Sequence, residues 1–165
     1  MILYLVRHGI AIDRQDPNSP PEVERYLTRD GIKKTREVAE GFHALGLKPT
    51  LFLSSPYVRA KQTADIFAEV LGHAREKIRD SAALRPGSAP AEFLAEIAHL
   101  KVRELICFGH APHLDQLIAQ MVGARGVFTA LKKAGIACLE LESATAAKGT
   151  LVWLLPPKVL RSIED

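Results

Sequence analysis

Residues 2–6, Ile-Leu-Tyr-Leu-Val, form a nearly continuous apolar run that stops on Arg7-His8-Gly9. A strand with one wet face alternates apolar and polar residues, whereas a run without alternation is buried on both faces. That requirement constrains the fold more than any other feature of the chain. A strand covered on both sides needs a layer of helices above it and another below.

The rest of the chain supplies those layers. Residues 10–28 are polar and carry Pro17, Pro20 and Pro21, which reads as a loop. Thr28 or Asp30 can cap a helix that runs to about Leu45, with Ile32, Ala39 and Phe42 as its apolar face and Gly46 as a stop. Leu51-Phe52-Leu53 is a second short strand. Ser55-Pro56 reads as an N-cap followed by proline at the first helical position, opening a helix to about Leu71 with Ala60, Ala64, Phe67 and Leu71 inward. Residues 72–90 are turn-rich, with a minor strand near Ile78, and a helix follows over about 91–100. Residues 105–108 are another buried strand, broken by Gly109. Leu114, Leu117, Ile118 and Met121 then have helical spacing. Two strands, 137–142 and 150–155, are joined by a short turn around Lys148-Gly149, and a polar tail follows Pro156-Pro157. Strands that alternate with helices predict an α/β fold. The expected form is a three-layer α/β/α sandwich with a mostly parallel central sheet and an antiparallel edge. Residues 1–165 are read as a single domain, without repeats or linkers.

Composition narrows the partners. The formal net charge is +3 and the isoelectric point about 9.0. The basic residues are scattered, with doublets only at Lys33-Lys34 and Lys132-Lys133, so no nucleic-acid partner is expected. The mild excess suits an anionic substrate; Lys132-Lys133 either extend the positive rim or are solvated, and the second reading is favoured. Cys107 and Cys138 lie inside apolar runs and read as buried thiols of a reducing compartment. The opening segment has no basic n-region and too short an apolar stretch for a signal sequence, and no run approaches a membrane span. A cytoplasmic monomer is the expectation.

Sites in parallel α/β sheets form beyond the carboxyl ends of strands. Three such ends carry unusual residues: Arg7-His8-Gly9, then Ser54-Ser55-Pro56-Tyr57-Val58-Arg59, then Gly109-His110. Arginine offers a planar fork of donors that matches a phosphate. Neutral imidazole can attack phosphorus and carry it covalently. Neighbouring guanidinium charges should keep His8 neutral, Gly9 allows close backbone approach, and His110 can donate to a phosphoryl oxygen. Taken alone, Arg59 would be a solvated helix residue and His110 a structural histidine; their order at successive strand ends is what carries the signal. His110 and His113, three apart with Asp115 near, suggest metal ligands, but no third or fourth ligand has convincing spacing. Asp13, Glu92 and Asp115 read as solvated carboxylates. His43, His73 and His99 read as surface histidines.

With these residues in view, the chain resembles the histidine phosphatase superfamily, the phosphoglycerate mutase-like proteins. Arg7-His8-Gly9 matches its first motif, residues 54–64 its second, Gly109-His110 its third, and Leu27-Thr28-x-x-Gly31 the start of its first helix. The resemblance implies that His8 accepts the phosphoryl group, that Arg7, Gly9, Arg59 and His110 bind the substrate, and that neither a metal nor an organic cofactor takes part. One departure matters. Larger members place a glutamate acid after Leu between the second and third motifs, where this chain reads Leu84-Arg85-Pro86-Gly87-Ser88. The chain is also too short for their helical lid. Arg7 to Ala11 is similar to the short SixA-type phosphohistidine phosphatases. A phosphoramidate has a labile P–N bond and less need of a dedicated acid than an alkoxide-releasing ester. Phosphohistidine on a protein is therefore the expected substrate. Small phosphoesters or phosphoanhydrides are the alternative, with Asp13, Asp80 or Glu92 as the acid. A non-catalytic phosphate-recognition module is the second alternative.

Overall fold

The computed structural model describes residues 1–143 and 148–163. Its strands are β1 (Ile2–Arg7), β2 (Leu51–Ser54), β3 (Arg79–Asp80), β4 (Glu104–Gly109), β5 (Ile136–Ser143) and β6 (Lys148–Leu155). Its helices are α1 (Arg29–Ala44), α2 (Val58–Leu71), α3 (Pro90–Ile97), α4 (His113–Met121) and α5 (Pro157–Leu160). The six strands form one sheet in the order β3-β2-β4-β1-β5-β6. The pairings β3-β2, β2-β4 and β4-β1 are parallel, and β1-β5 and β5-β6 antiparallel.

The continuous apolar strands behave as their pattern demands. Side chains alternate faces along a strand. Leu3 and Leu5 of β1 therefore enter one core with Leu105, Cys107, Phe93, Leu117 and Ile118, beneath α3 and α4. Tyr4 and Val6 enter the other with Ile106, Phe108, Phe42, Phe67 and Leu160, beneath α1, α2 and α5. The two cysteines are free and buried, one in each core.

Several local expectations need correction. Ile32 is 40% exposed. The inward stripe of α1 is Gly31, Thr35, Val38, Ala39 and Phe42, one residue and so about 100° away from Ile32. Two of its members are not apolar, so hydrophobic spacing could not reveal it. Thr28, not Asp30, is the N-cap, its hydroxyl accepting from Gly31 N–H at 3.0 Å. Ser55 does not cap α2, which begins at Val58. The β2–β4 pairing runs one residue further than expected, with Ser55 N–H donating to Phe108 O at 2.9 Å. Lys148-Gly149 open β6 rather than forming a turn; the connection itself lies outside the described residues. The tail contains α5, whose Leu160 is fully buried. Burying a leucine side chain stabilises by about 2 kcal/mol, and Gly41 of α1 permits it, because a Cβ there would overlap the Leu160 carbonyl. His73 is half-buried and stacks on Phe52 with ring centroids 4.1 Å apart.

Candidate active site

β2, β4 and β1 are neighbours with parallel ends, so the residues just beyond them share one rim. His8 N–H donates to Gly109 O at 3.0 Å and Ser55 N–H to Phe108 O, which places His8, Ser55 and His110 side by side. The His8 and His110 rings lie 5.1 Å apart. The first turn of α2 adds Arg59, buried to 2% exposure. Arg7, His8, Arg59 and His110 line one pocket of about 410 Å³ together with Asp13, Arg14, Arg25, Pro86 and Lys133.

The hydrogen bonds on His8 fix its tautomer. Nδ1 stands 2.7 Å from Gly9 O, and a carbonyl can only accept, so Nδ1 carries the proton. Nε2 must then be the basic nitrogen, and it accepts from Arg59 Nε–H at 3.2 Å. Burial is the chief reason that the His8 pKa falls to about 3, with the charges of Arg59, Arg7 and Lys133 adding to it. The direction agrees with the sequence reading, but desolvation outweighs the guanidinium charges. Gly9 has a reason besides substrate approach: a Cβ would collide with the Thr35 hydroxyl of α1. Its N–H donates to Thr63 Oγ1 at 3.0 Å.

His110 is buried, and its pKa falls to about 2, through burial first and then the charges of His8 and Arg59. Its Nε2 is 2.8 Å from Ser55 Oγ, which already accepts from Tyr57 N–H at 3.3 Å. That hydroxyl has both a proton and a second lone pair left, so it can pair with His110 Nε2 in either tautomer. His110 Nδ1 is buried without a partner among the described residues. Ser55 is thus a site residue that sequence reasoning assigned to a helix cap.

The two arginines are held differently. Arg7 Nη1 donates to Leu131 O at 2.8 Å, and its buried Nε has no partner among the described residues. Arg59 Nη1 donates to Glu22 O and Nη2 to Glu22 Oε1, each at 2.8 Å. The same carboxylate accepts from Arg25 Nη1 at 3.0 Å and Arg14 Nε at 3.0 Å. Partial burial pushes the Glu22 pKa up, but Arg25, Arg59 and Arg14 bring it below the usual range overall. Sequence reading missed Glu22, Arg14 and Arg25 because they lie in an irregular loop; the Glu22-x-x-Arg25 spacing was the available signal.

The facing wall is residues 129–135. Asp115 is buried rather than solvated, and accepts from Thr129 Oγ1 at 2.7 Å and Leu131 N–H at 2.9 Å. Lys133 is exposed and also lines the pocket, the rim position that was the alternative to simple solvation. Glu92 is exposed and outside the pocket lining. Asp80 pairs with Lys61 at 3.1 Å on the sheet edge. Asp13 is the one carboxylate among the described residues that line the pocket, and Pro86 lies where the larger relatives' acid was sought. Among the described residues no group of three or more His, Cys, Asp or Glu is placed to hold a metal ion. Both ring nitrogens of buried His113 lack hydrogen-bond partners there. No described helix is long and apolar enough to cross a membrane.

A phosphate-sized anion fits this floor of two guanidiniums and two neutral imidazoles at the carboxyl end of a parallel sheet. Residues 3–86 match the model of the histidine phosphatase superfamily, branch 1, and the chain belongs to that family. An uncharacterized protein of Picosynechococcus sp. is 35% identical over 168 residues, covering 97% of this chain and 99% of its own length. The mitochondrial serine/threonine-protein phosphatase Pgam5 of Drosophila willistoni is 30% identical over 99 residues, or 60% of this chain; the match spans 32% of that protein. Among solved structures, the protein histidine phosphatase SixA complexed with tungstate superposes with a TM-score of 0.86 at 23% identity, covering 97% of this chain and 99% of SixA. A mycobacterial glucosyl-3-phosphoglycerate phosphatase with inorganic phosphate gives 0.72 at 18% identity, covering 95% and 98% of the two chains. These likenesses establish the phosphoglycerate mutase-like fold.

Proposed function

We propose that residues 1–165 form one catalytic domain that hydrolyses phosphohistidine on a protein through a covalent phospho-His8 intermediate. The observation that carries this reading is the His8 tautomer: Nδ1–H is tied to Gly9 O, and the Nε2 lone pair faces a pocket lined by Arg7, Arg59 and His110. An incoming phosphoryl group takes over the Arg59 Nε–H donor and frees Nε2. The Nε2 lone pair forms a bond to phosphorus as the substrate P–N bond breaks, and the departing imidazole takes its proton from solvent. Arg7, Arg59 and His110 Nδ1–H hold the equatorial oxygens as charge builds. Water then attacks phosphorus, the P–Nε2 bond breaks, and phosphate leaves with His8 neutral again. The step needs no metal in this reading, because guanidiniums carry the charge.

Two further observations favour a P–N substrate. No glutamate stands at Leu84-Arg85-Pro86, where larger members of the family carry their acid. SixA, which has the same fold, is a protein histidine phosphatase. Asp13, the one carboxylate among the described residues that line the pocket, supports the second reading, hydrolysis of small phosphoesters or phosphoanhydrides with Asp13 as acid, and the fold likeness to a glucosyl-3-phosphoglycerate phosphatase fits it. A non-catalytic phosphate-binding role suits the site least, since it has no need of a nucleophile with a fixed tautomer. Buried free thiols in both cores suit a reducing, cytoplasmic setting, and the protein is read as a monomer.

The test is a side-by-side hydrolysis of a phosphohistidine protein and a panel of sugar phosphates. We expect release from phosphohistidine, reduced at least about 10⁴-fold by His8→Ala. Activity retained in His8→Ala sinks the covalent route. Faster release from sugar phosphates moves the reading to esters.

A further inference from the structure

One cation of the catalytic pocket stands apart from the rest. The lining carries Arg7, Arg14, Arg25, Arg59 and Lys133 against Asp13, with Glu22 behind three of the arginines and Asp115 acting on Arg7. Each arginine therefore has a carboxylate at hand: Arg14, Arg25 and Arg59 all bind Glu22. Lys133 makes no ion pair among the described residues.

Lys133 is exposed, but the backbone of its turn is tied to the site. Gly135 N–H closes a turn on Lys132 O at 2.7 Å, and Arg7 N–H donates to Gly135 O at 3.1 Å. Ala134 N–H lies between Arg7 O at 2.9 Å and His8 O at 3.1 Å, so the turn is bonded to the nucleophile's own backbone. Ala134 holds φ 62, a left-handed conformation that costs a residue with a Cβ about 1–2 kcal/mol. Such conformations persist where the surroundings over-determine them and cluster at functional sites. Asp115 anchors the chain just before the turn.

We propose that Lys133 forms an anion subsite beside the phosphoryl floor, so that the preferred substrate carries a second anionic group, a phosphate or a carboxylate, next to its phosphoryl group. The proposal rests on the phosphatase reading only for what occupies the floor. The Lys133 charge already reaches His8, where it is one of those lowering the ring's basicity.

Calorimetric binding of methylenediphosphonate and methylphosphonate tests it without turnover. Wild type should prefer the diphosphonate by about tenfold, the worth of one charge-assisted hydrogen bond. Lys133→Met should bring that ratio close to one, while Lys133→Arg, and Lys132→Met on the same turn, keep it. A wild-type ratio near one overturns the subsite. So does an equal loss in Lys132→Met, which would reduce the effect to the general field of the surface. Turnover then separates the sources of the second anion. Phosphohistidine peptides flanked by glutamates or by alanines are compared with small bisphosphates, and the substrate whose advantage Lys133→Met removes identifies the source. If no phosphohistidine substrate turns over, the functional reading fails while the binding ratio still decides the subsite.

Discussion

The two walls of the pocket use the same chemistry in opposite ways. In the wall formed by residues 10–28, one carboxylate, Glu22, gathers three guanidiniums and holds the fork of Arg59 in place. In the wall formed by residues 129–135, the carboxylate of Asp115 hydrogen-bonds the backbone and a hydroxyl, and Lys133 makes no ion pair among the described residues. The first wall organises charge around one carboxylate; the second uses its carboxylate to fix shape. A buried carboxylate can therefore set the electrostatics of a site or its geometry, depending on whether its partners are charged. The floor between them is neutral imidazole, kept so by burial.

Acid should break the comparison most severely, because it attacks the floor beneath both walls. The pKa values of His8 and His110 fall to about 3 and about 2, below the ~6.5 of an unfolded histidine. Their contribution is fully present above pH ~6.5 and is lost as pH falls towards those folded values, since the unfolded chain binds the protons. Urea denaturation between pH 6 and 4 should lose up to about 2.7 kcal/mol per pH unit for these two protons, beyond other groups. The double variant His8→Ala/His110→Ala should flatten the slope, and an unchanged slope would remove the histidines from the account.

Within the second wall, Asp115→Ala strands the Leu131 N–H and the Thr129 hydroxyl. Each buried unpaired group costs about 1–3 kcal/mol, so we expect about 3 kcal/mol less stability in denaturant unfolding, with faster amide exchange over 129–135. Within the first wall, Glu22→Gln should act on charge more than on fold. Glu22 is partly exposed, which limits the stability loss to about 1 kcal/mol, but kcat/KM should fall roughly tenfold as Arg59 loses its brace. A variant that loses stability but not kcat/KM would make the first wall a geometric device like the second. The smallest effect belongs to Ala134→Gly. Relief of left-handed strain is offset by greater unfolded-state freedom and a lost buried methyl, so the net change should stay within about 1 kcal/mol. A larger loss would show that the methyl group, not the backbone, secures the turn.

The layered fold was legible because its signal is local. The unbroken runs at β1 and β4 need cover on both faces, and helical spacing at Leu114, Leu117, Ile118 and Met121 supplies one cover. The floor was legible for a related reason: Arg7-His8 and His110 stand at the ends of β1 and β4, and adjacent parallel strands bring such positions together. What misled were positions whose role depends on distant partners. Ile32 looked inward because Gly31 and Thr35, the true stripe, are not apolar. Ser55 looked like a cap because its partner, His110, lies 55 residues away. Asp115 looked solvated because nothing in its neighbourhood marks the loop that buries it, whereas Lys133 is exposed and only the fold brings it to the pocket.

The amino-acid sequence by itself determined the sheet, its helical cover and the basic floor at the strand ends, since periodicity and strand termini are properties of consecutive residues. Only the tertiary structure decided the tautomer of His8, the bracing of Arg59 by Glu22 and the presentation of Lys133. The His8 tautomer follows from a carbonyl only one residue away, but the ring conformation that makes this bond is set by burial and by Arg59. The other two depend on hydrogen bonds between segments far apart in the chain, which do not exist until the core has closed.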